Sequence, residues 1–157
     1  MATASPCLFC QIARAASSTP LIYSDERVVA FQDINPSAYR HYLVIPVKHI
    51  GTVKDLNRRI DDYNLVNHML KVGQSLLQRD AHGPRPYRFG FHQPPFNSVD
   101  HLHLHCLALP FIPRLEQMET FEIHVNWTPW WVHRGRETIG EDKATISGTL
   151  VEQGIPV

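Results

Sequence analysis

From residue 100 to residue 109 the chain reads Asp-His-Leu-His-Leu-His-Cys-Leu-Ala-Leu. Strict alternation of this kind calls for a β-strand, because successive side chains of an extended chain leave on opposite faces. Leu102 and Leu104 are thereby committed to a core, and His101, His103 and His105 to the other face. Three titratable rings side by side are costly to place, and the arrangement suits a nucleophile, proton handling or metal ligation. The plainer alternative, three solvated or cross-strand-paired histidines, leaves the aliphatic residues between and after them unexplained. Cys106 falls on the core face, where a thiol packs as a small apolar group.

The rest of the chain supplies partners for this strand. At 157 residues it is the size of one domain. Leu21-Ile22-Tyr23 and Val28-Val29-Ala30-Phe31 flank a polar Ser24-Asp25-Glu26-Arg27 turn and predict a hairpin. His41 to Pro46 reads as a buried central strand that ends at its proline. From Asp61 to Arg79 the period changes: Tyr63, Val66, Met69, Leu70, Gly73, Leu76 and Leu77 share one helical face, with Asp61 and Asp62 at the electropositive end. Tyr87 to His92 is a further strand, followed by a proline-containing loop. Five strands and one long helix, without a helix between each strand pair, predict an α+β fold around an antiparallel five-stranded sheet.

Composition narrows the function. Fifteen basic and fifteen acidic residues cancel, which argues against electrostatic capture of nucleic acid or of an anionic membrane. No apolar run approaches the ~20 residues of a membrane span. Met1 to Ser5 carry no secretory n-region, and three cysteines do not make a disulfide scaffold. A cytoplasmic location is the expectation, with nuclear and peroxisomal addresses left open. Ten histidines are the anomaly; His41, His49, His92, His101, His103 and His105 lie in or near apolar runs.

The His-φ-His-φ-His-φ-φ pattern resembles the histidine triad superfamily of nucleotide hydrolases and transferases. Cys7-Leu8-Phe9-Cys10, Phe31-Gln32-Asp33-Ile34, His41 to Ile50 and Gly90 to Leu109 carry the resemblance into its nucleotide-binding branch. The stretch from Phe91 to Asp100 is similar to plant members with adenylylsulfatase or adenylylsulfate phosphorylase activity. The resemblance implies that His103 attacks the α-phosphorus of an adenylyl compound and forms a nucleotidyl-histidine. A backbone carbonyl on the same strand would hold the other ring nitrogen of His103. It further implies that His105 donates to the nonbridging oxygens, that His101 supports the pair, and that Ser98 assists the leaving group. Asp33 and Ile34 would bind the ribose, Phe9, Ile12 and Phe31 would enclose the base, and taken singly these three also read as core. His92 stands where the branch usually has asparagine, and Gln93-Pro94-Pro95-Phe96-Asn97 replaces a glycine-rich loop. His92 and Asn97 are therefore substrate-side candidates with an altered phosphate and leaving-group pocket. The chemistry calls for no redox cofactor, and the branch commonly forms homodimers. Adenylyl sulfate is the first candidate substrate and adenosine phosphoramidates the second. Two other function classes stay open: a slow purine-nucleotide sensor or scaffold, and a zinc-stabilised interaction protein.

Cys7-x-x-Cys10 alone is a weak metal signal. With His49 and His101, positions at which some members of the branch bind zinc, it makes a Cys2His2 set suited to a closed structural site. The alternative is a metal-free His49–His101 pair supporting His103.

The similarity fails after Met118. Relatives continue with a glycine turn and a helix, whereas this chain runs from Phe121 to Lys143 through Trp127, Trp130 and Trp131. Read one nucleotide over with suitable codons, that stretch becomes Gly-Pro-Leu-Gly-Gly-Phe and then a helix-forming segment. The expected organisation is a tail over 1–6, a histidine triad domain over 7–118, and an atypical segment over 119–157 read from a shifted frame. A genuine variant terminus is the alternative, and the three tryptophans receive no function.

Overall fold

A computed structural model describes residues 7–57, 59–92 and 98–112. The tail over 1–6, Asn97 and the 119–157 segment fall outside the described residues. In chain order the elements are α1 (Leu8–Ala13), β1 (Leu21–Ser24), β2 (Val28–Gln32), β3 (Ala38–Pro46), a 3-10 turn (Val53–Asp55), α2 (Ile60–Asp80), β4 (Tyr87–Gly90) and β5 (Leu104–Phe111). The strands form one sheet in the order β1-β2-β3-β5-β4, antiparallel at every step. This is the α+β, five-stranded antiparallel architecture that the sequence predicts.

The hairpin turn is built by Asp25. Its Oδ1 accepts the amides of Arg27 at 2.7 Å and Val28 at 2.8 Å. Its Oδ2 accepts the Tyr23 hydroxyl at 2.7 Å and lies 2.6 Å from His68 Nε2 on α2. Burial acts to raise its pKa, but these four donors hold the carboxyl well below the usual carboxylate range.

The sheet is covered on both faces. On one, Val66, Met69, Val72, Leu76 and Leu77 of α2 pack against Val28, Ala30, Val44, Leu102, Leu104 and Cys106. Each large aliphatic buried there contributes about 1.5–3 kcal/mol. Gly73 lets the helix approach: a Cβ at that position would collide with Cys106 Sγ. On the other face, Phe9 and Ile12 of α1 cover Val29, Phe31, Leu43 and Ile45. The long helix matches the predicted span within one residue at each end.

One element and several boundaries differ from the sequence expectation. Leu8–Ala13 is a short helix, too brief to show a period. The central strand begins at Ala38 rather than His41, across an irregularity between Ala38 and Arg40. β4 stops at Gly90 rather than His92. The histidine strand enters the ladder at Leu104, opposite Val44, rather than at His101. The segment ahead is pinned differently, by a Leu102 amide bond of 2.6 Å to the Ile50 carbonyl. The alternation of faces nevertheless runs unbroken: Leu102, Leu104, Cys106 and Ala108 pack toward α2.

Candidate active site

The face of β5 opposite α2 forms the floor of a cavity of about 500 Å³. Phe9 and Ile12 reach it from α1, Phe31 from β2, Asp33 and Ile34 from the turn after β2, His41 from β3, and His92 and Ser98 from the two sides of residues 93–97. His103 and His105 lie beneath, 6% and 5% exposed.

His103 Nδ1 is 2.6 Å from the carbonyl oxygen of His101. A carbonyl only accepts, so Nδ1 carries the hydrogen and Nε2 holds a lone pair. The carbonyl is available because this part of the chain precedes the ladder. Phe9 meets the His103 ring edge-on, with centroids 5.3 Å apart.

His105 has the opposite tautomer. The Ser37 amide donates to His41 Nδ1 at 3.1 Å, so His41 carries its hydrogen on Nε2. That nitrogen is 2.8 Å from His105 Nδ1 and 3.3 Å from Asp33 Oδ2. His105 Nδ1 therefore accepts, and its Nε2 bears the hydrogen. His92 lies over His105 with centroids 4.1 Å apart and the planes tilted by 34°. Burial lowers the pKa of His103, against the His101 bond and Asp33, which raise it. Burial, then His92, His103 and His41, places His105 well below the ordinary imidazole value. Burial and His103 also lower His92. The cluster is thus neutral near pH 7, the state in which an imidazole is a nucleophile.

His101 is fully buried and turned the other way. Its Nε2 donates to the Pro46 carbonyl at 2.9 Å, so the Nδ1 lone pair faces the Cys7 and Cys10 sulfurs, each 3.5 Å distant. His49 Nδ1 is 3.3 Å from Cys10 Sγ. One donor atom from each of Cys7, Cys10, His49 and His101 falls within 4.8 Å of the others. Two thiols and two imidazoles converging this closely fit zinc, with His101 already in the ligating tautomer.

The structure thus gathers His103, His105, Ser98, Asp33, Ile34, Phe9, Ile12, Phe31 and His92 around one cavity, and sets His101 beneath it. Asn97 lies outside the described residues. His41 takes a larger part than the sequence indicates, since a lone histidine in an apolar strand reads equally well as core. Only the nonlocal β3–β5 register reveals its neighbour.

Comparison with known proteins agrees with this geometry. The family model described as "Scavenger mRNA decapping enzyme C-term binding" matches residues 6–120. The chain is 66% identical over 109 residues to the bifunctional adenosine 5'-phosphosulfate phosphorylase/adenylylsulfatase HINT4 of Arabidopsis thaliana, covering 69% of this chain and 73% of that one. It is 44% identical over 115 residues to the adenosine 5'-monophosphoramidase HINT3 of Xenopus tropicalis, covering 69% and 74%. A HIT family hydrolase from Legionella pneumophila Philadelphia 1 superposes with a TM-score of 0.56 at 35% identity, over 64% of this chain and 90% of that one. The chain belongs to the histidine triad family, and it is an enzyme of the nucleotide hydrolase and transferase class.

Proposed function

We propose that this chain cleaves adenylyl compounds, adenylyl sulfate first and adenosine phosphoramidates second, through AMP held covalently on His103. The observation that carries the reading is the 2.6 Å bond from His103 Nδ1 to the His101 carbonyl, which leaves the Nε2 lone pair for the substrate. The 66% identity to a phosphosulfate phosphorylase/adenylylsulfatase supports the choice of leaving group.

In this reading His103 Nε2 attacks the α-phosphorus, a nitrogen–phosphorus bond forms, and sulfate departs with the electron pair of the broken bond. The His105 Nε2–H donates to a nonbridging oxygen, where charge grows in the transition state. Asp33 accepts from the ribose hydroxyls. Phe9, Ile12 and Phe31 enclose the base, with Ile34, 92% exposed, clasping it from the rim. Ser98 stands toward the leaving group. Water then releases AMP, or inorganic phosphate releases ADP. A zinc ion on Cys7, Cys10, His49 and His101 would tie α1 to the floor of the cavity and take no part in the chemistry. We assign a homodimer as well: β4 is an edge strand with no partner on its outer side among the described residues, which supports sheet-to-sheet pairing.

The test is a base-quenched reaction with adenylyl sulfate, followed by mass analysis of the peptide carrying His103. AMP on that peptide, with turnover lost but AMP binding kept in His103→Ala, supports the enzyme. Tight AMP binding without an adenylylated peptide identifies a sensor instead.

A further inference from the structure

An adenylylated His103 has to be discharged, and when water does this its proton needs an acceptor. His103 cannot take the proton while its Nε2 carries phosphorus. His105 cannot, because His41 occupies its Nδ1 and the other nitrogen bears hydrogen. Both His41 nitrogens are engaged. The Asp33 carboxylate already accepts the Asn35 amide at 2.8 Å and faces His41 at 3.3 Å. The Ser98 hydroxyl is too weak a base. Among the described residues lining the cavity, His92 is left. One of its ring nitrogens lies within 4.8 Å of ring nitrogens of both His103 and His105, which sets it beside the adenylylated centre.

We propose that His92 accepts the proton of the water that discharges His103, and so decides how the adenylyl group divides between water and inorganic phosphate. The inference rests on the covalent AMP–His103 reading above. The water oxygen bonds to phosphorus as the Nε2–phosphorus bond breaks. That bond's electron pair returns to Nε2, the water proton passes to His92, and AMP leaves. Dianionic phosphate brings its own charged oxygen and attacks without surrendering a proton. Water therefore depends on His92 and phosphate does not. Asparagine, usual at this position, can donate a hydrogen bond but cannot take the proton; the titratable groups around His92 are His103 and Asp33, which act on its charge, and His105, whose ring lies against it.

The experiment is the ADP-to-AMP product ratio from adenylyl sulfate at a fixed concentration of inorganic phosphate, for the full chain and for His92→Asn. Both products come from one intermediate, so the ratio is independent of the folded fraction and of the first step. The expected result is a ratio raised by about tenfold or more; an unchanged ratio overturns the proposal. If His92→Asn yields no ADP even with phosphate present, the proposal is overturned: adenylylated His103 accumulating in base-quenched samples means that phosphate too needs His92, and none forming places His92 in the first step. If the unaltered chain forms no adenylylated His103, the covalent reading itself has failed, which is a separate outcome.

Discussion

His41 and His105 sit on neighbouring strands without being register partners, yet His41 Nε2 is 2.8 Å from His105 Nδ1. The ladder sets Leu43 opposite His105 and His41 opposite Leu107, so the two imidazoles meet on the diagonal of one sheet face. Because the Ser37 amide occupies the far side of His41, this contact fixes which nitrogen of His105 is the donor.

Removing that partner leaves His105 free to adopt either tautomer. His41→Ala is expected to lower kcat/KM by about 10- to 100-fold while AMP binding changes little. His41→Gln, whose amide donates from a similar place, is expected to recover part of the loss. Steady-state kinetics beside AMP titration measures both; an unimpaired His41→Ala would remove His41 from the machinery.

Acid is expected to destabilise the fold through the same cluster. His105 has its folded value held below the ordinary 6.5, mainly by burial. Below that pH the unfolded chain takes up a proton that the folded chain refuses. Stability is therefore full above 6.5 and falls as the pH drops beneath it, by up to about 1.4 kcal/mol per pH unit, until the folded value is reached. Thermal melts between about pH 7.5 and about pH 5.5 should show the decline, with a shallower slope in His105→Asn.

Gly73 tests the packing between α2 and β5. An added methyl would meet Cys106 and the Phe89 ring. Gly73→Ala should cost about 1–3 kcal/mol despite alanine's better helix propensity. Adding Cys106→Ala should return most of it. Urea unfolding of the two single variants and the double variant measures the coupling, and a Gly73→Ala chain as stable as its parent would show that the helix gives way freely.

Zinc is expected at one ion per chain by elemental analysis, with His49→Ala lowering its affinity and leaving the cavity intact. At a free zinc concentration about a hundred times Kd, binding adds about 2.7 kcal/mol, so a chelator should lower Tm measurably. A Tm indifferent to both zinc and chelator would leave the four residues as a hydrogen-bonded cluster.

Much of this was legible beforehand because it depends on local periods. Alternation over His101–Leu109 assigned each side chain to its face, and the Val66–Leu77 spacing fixed the long helix. Three features were not legible, each for a physical reason. The six residues of α1 span too few turns for a period to emerge. Residues 38–40 join β3 across a shift in register with β5, with no aliphatic alternation to announce them. The role of His41 rests on a register between segments 64 residues apart, and register is a tertiary fact. The capping box of Thr52 and Asp55 ahead of the 3-10 turn was written in the sequence, but its run is too short for an apolar stripe to draw attention to it.

His101 is joined to both halves of this molecule by different ends of one residue. Its ring reaches back to the N-terminal thiols, while its carbonyl steadies the ring of His103. Damage at Cys7 or Cys10 would therefore first present itself as an enzyme with a poorly aimed nucleophile. A geneticist mapping loss-of-function alleles would find two clusters far apart in the sequence, one at Cys7 and Cys10 and one in the triad, both reporting the same defect.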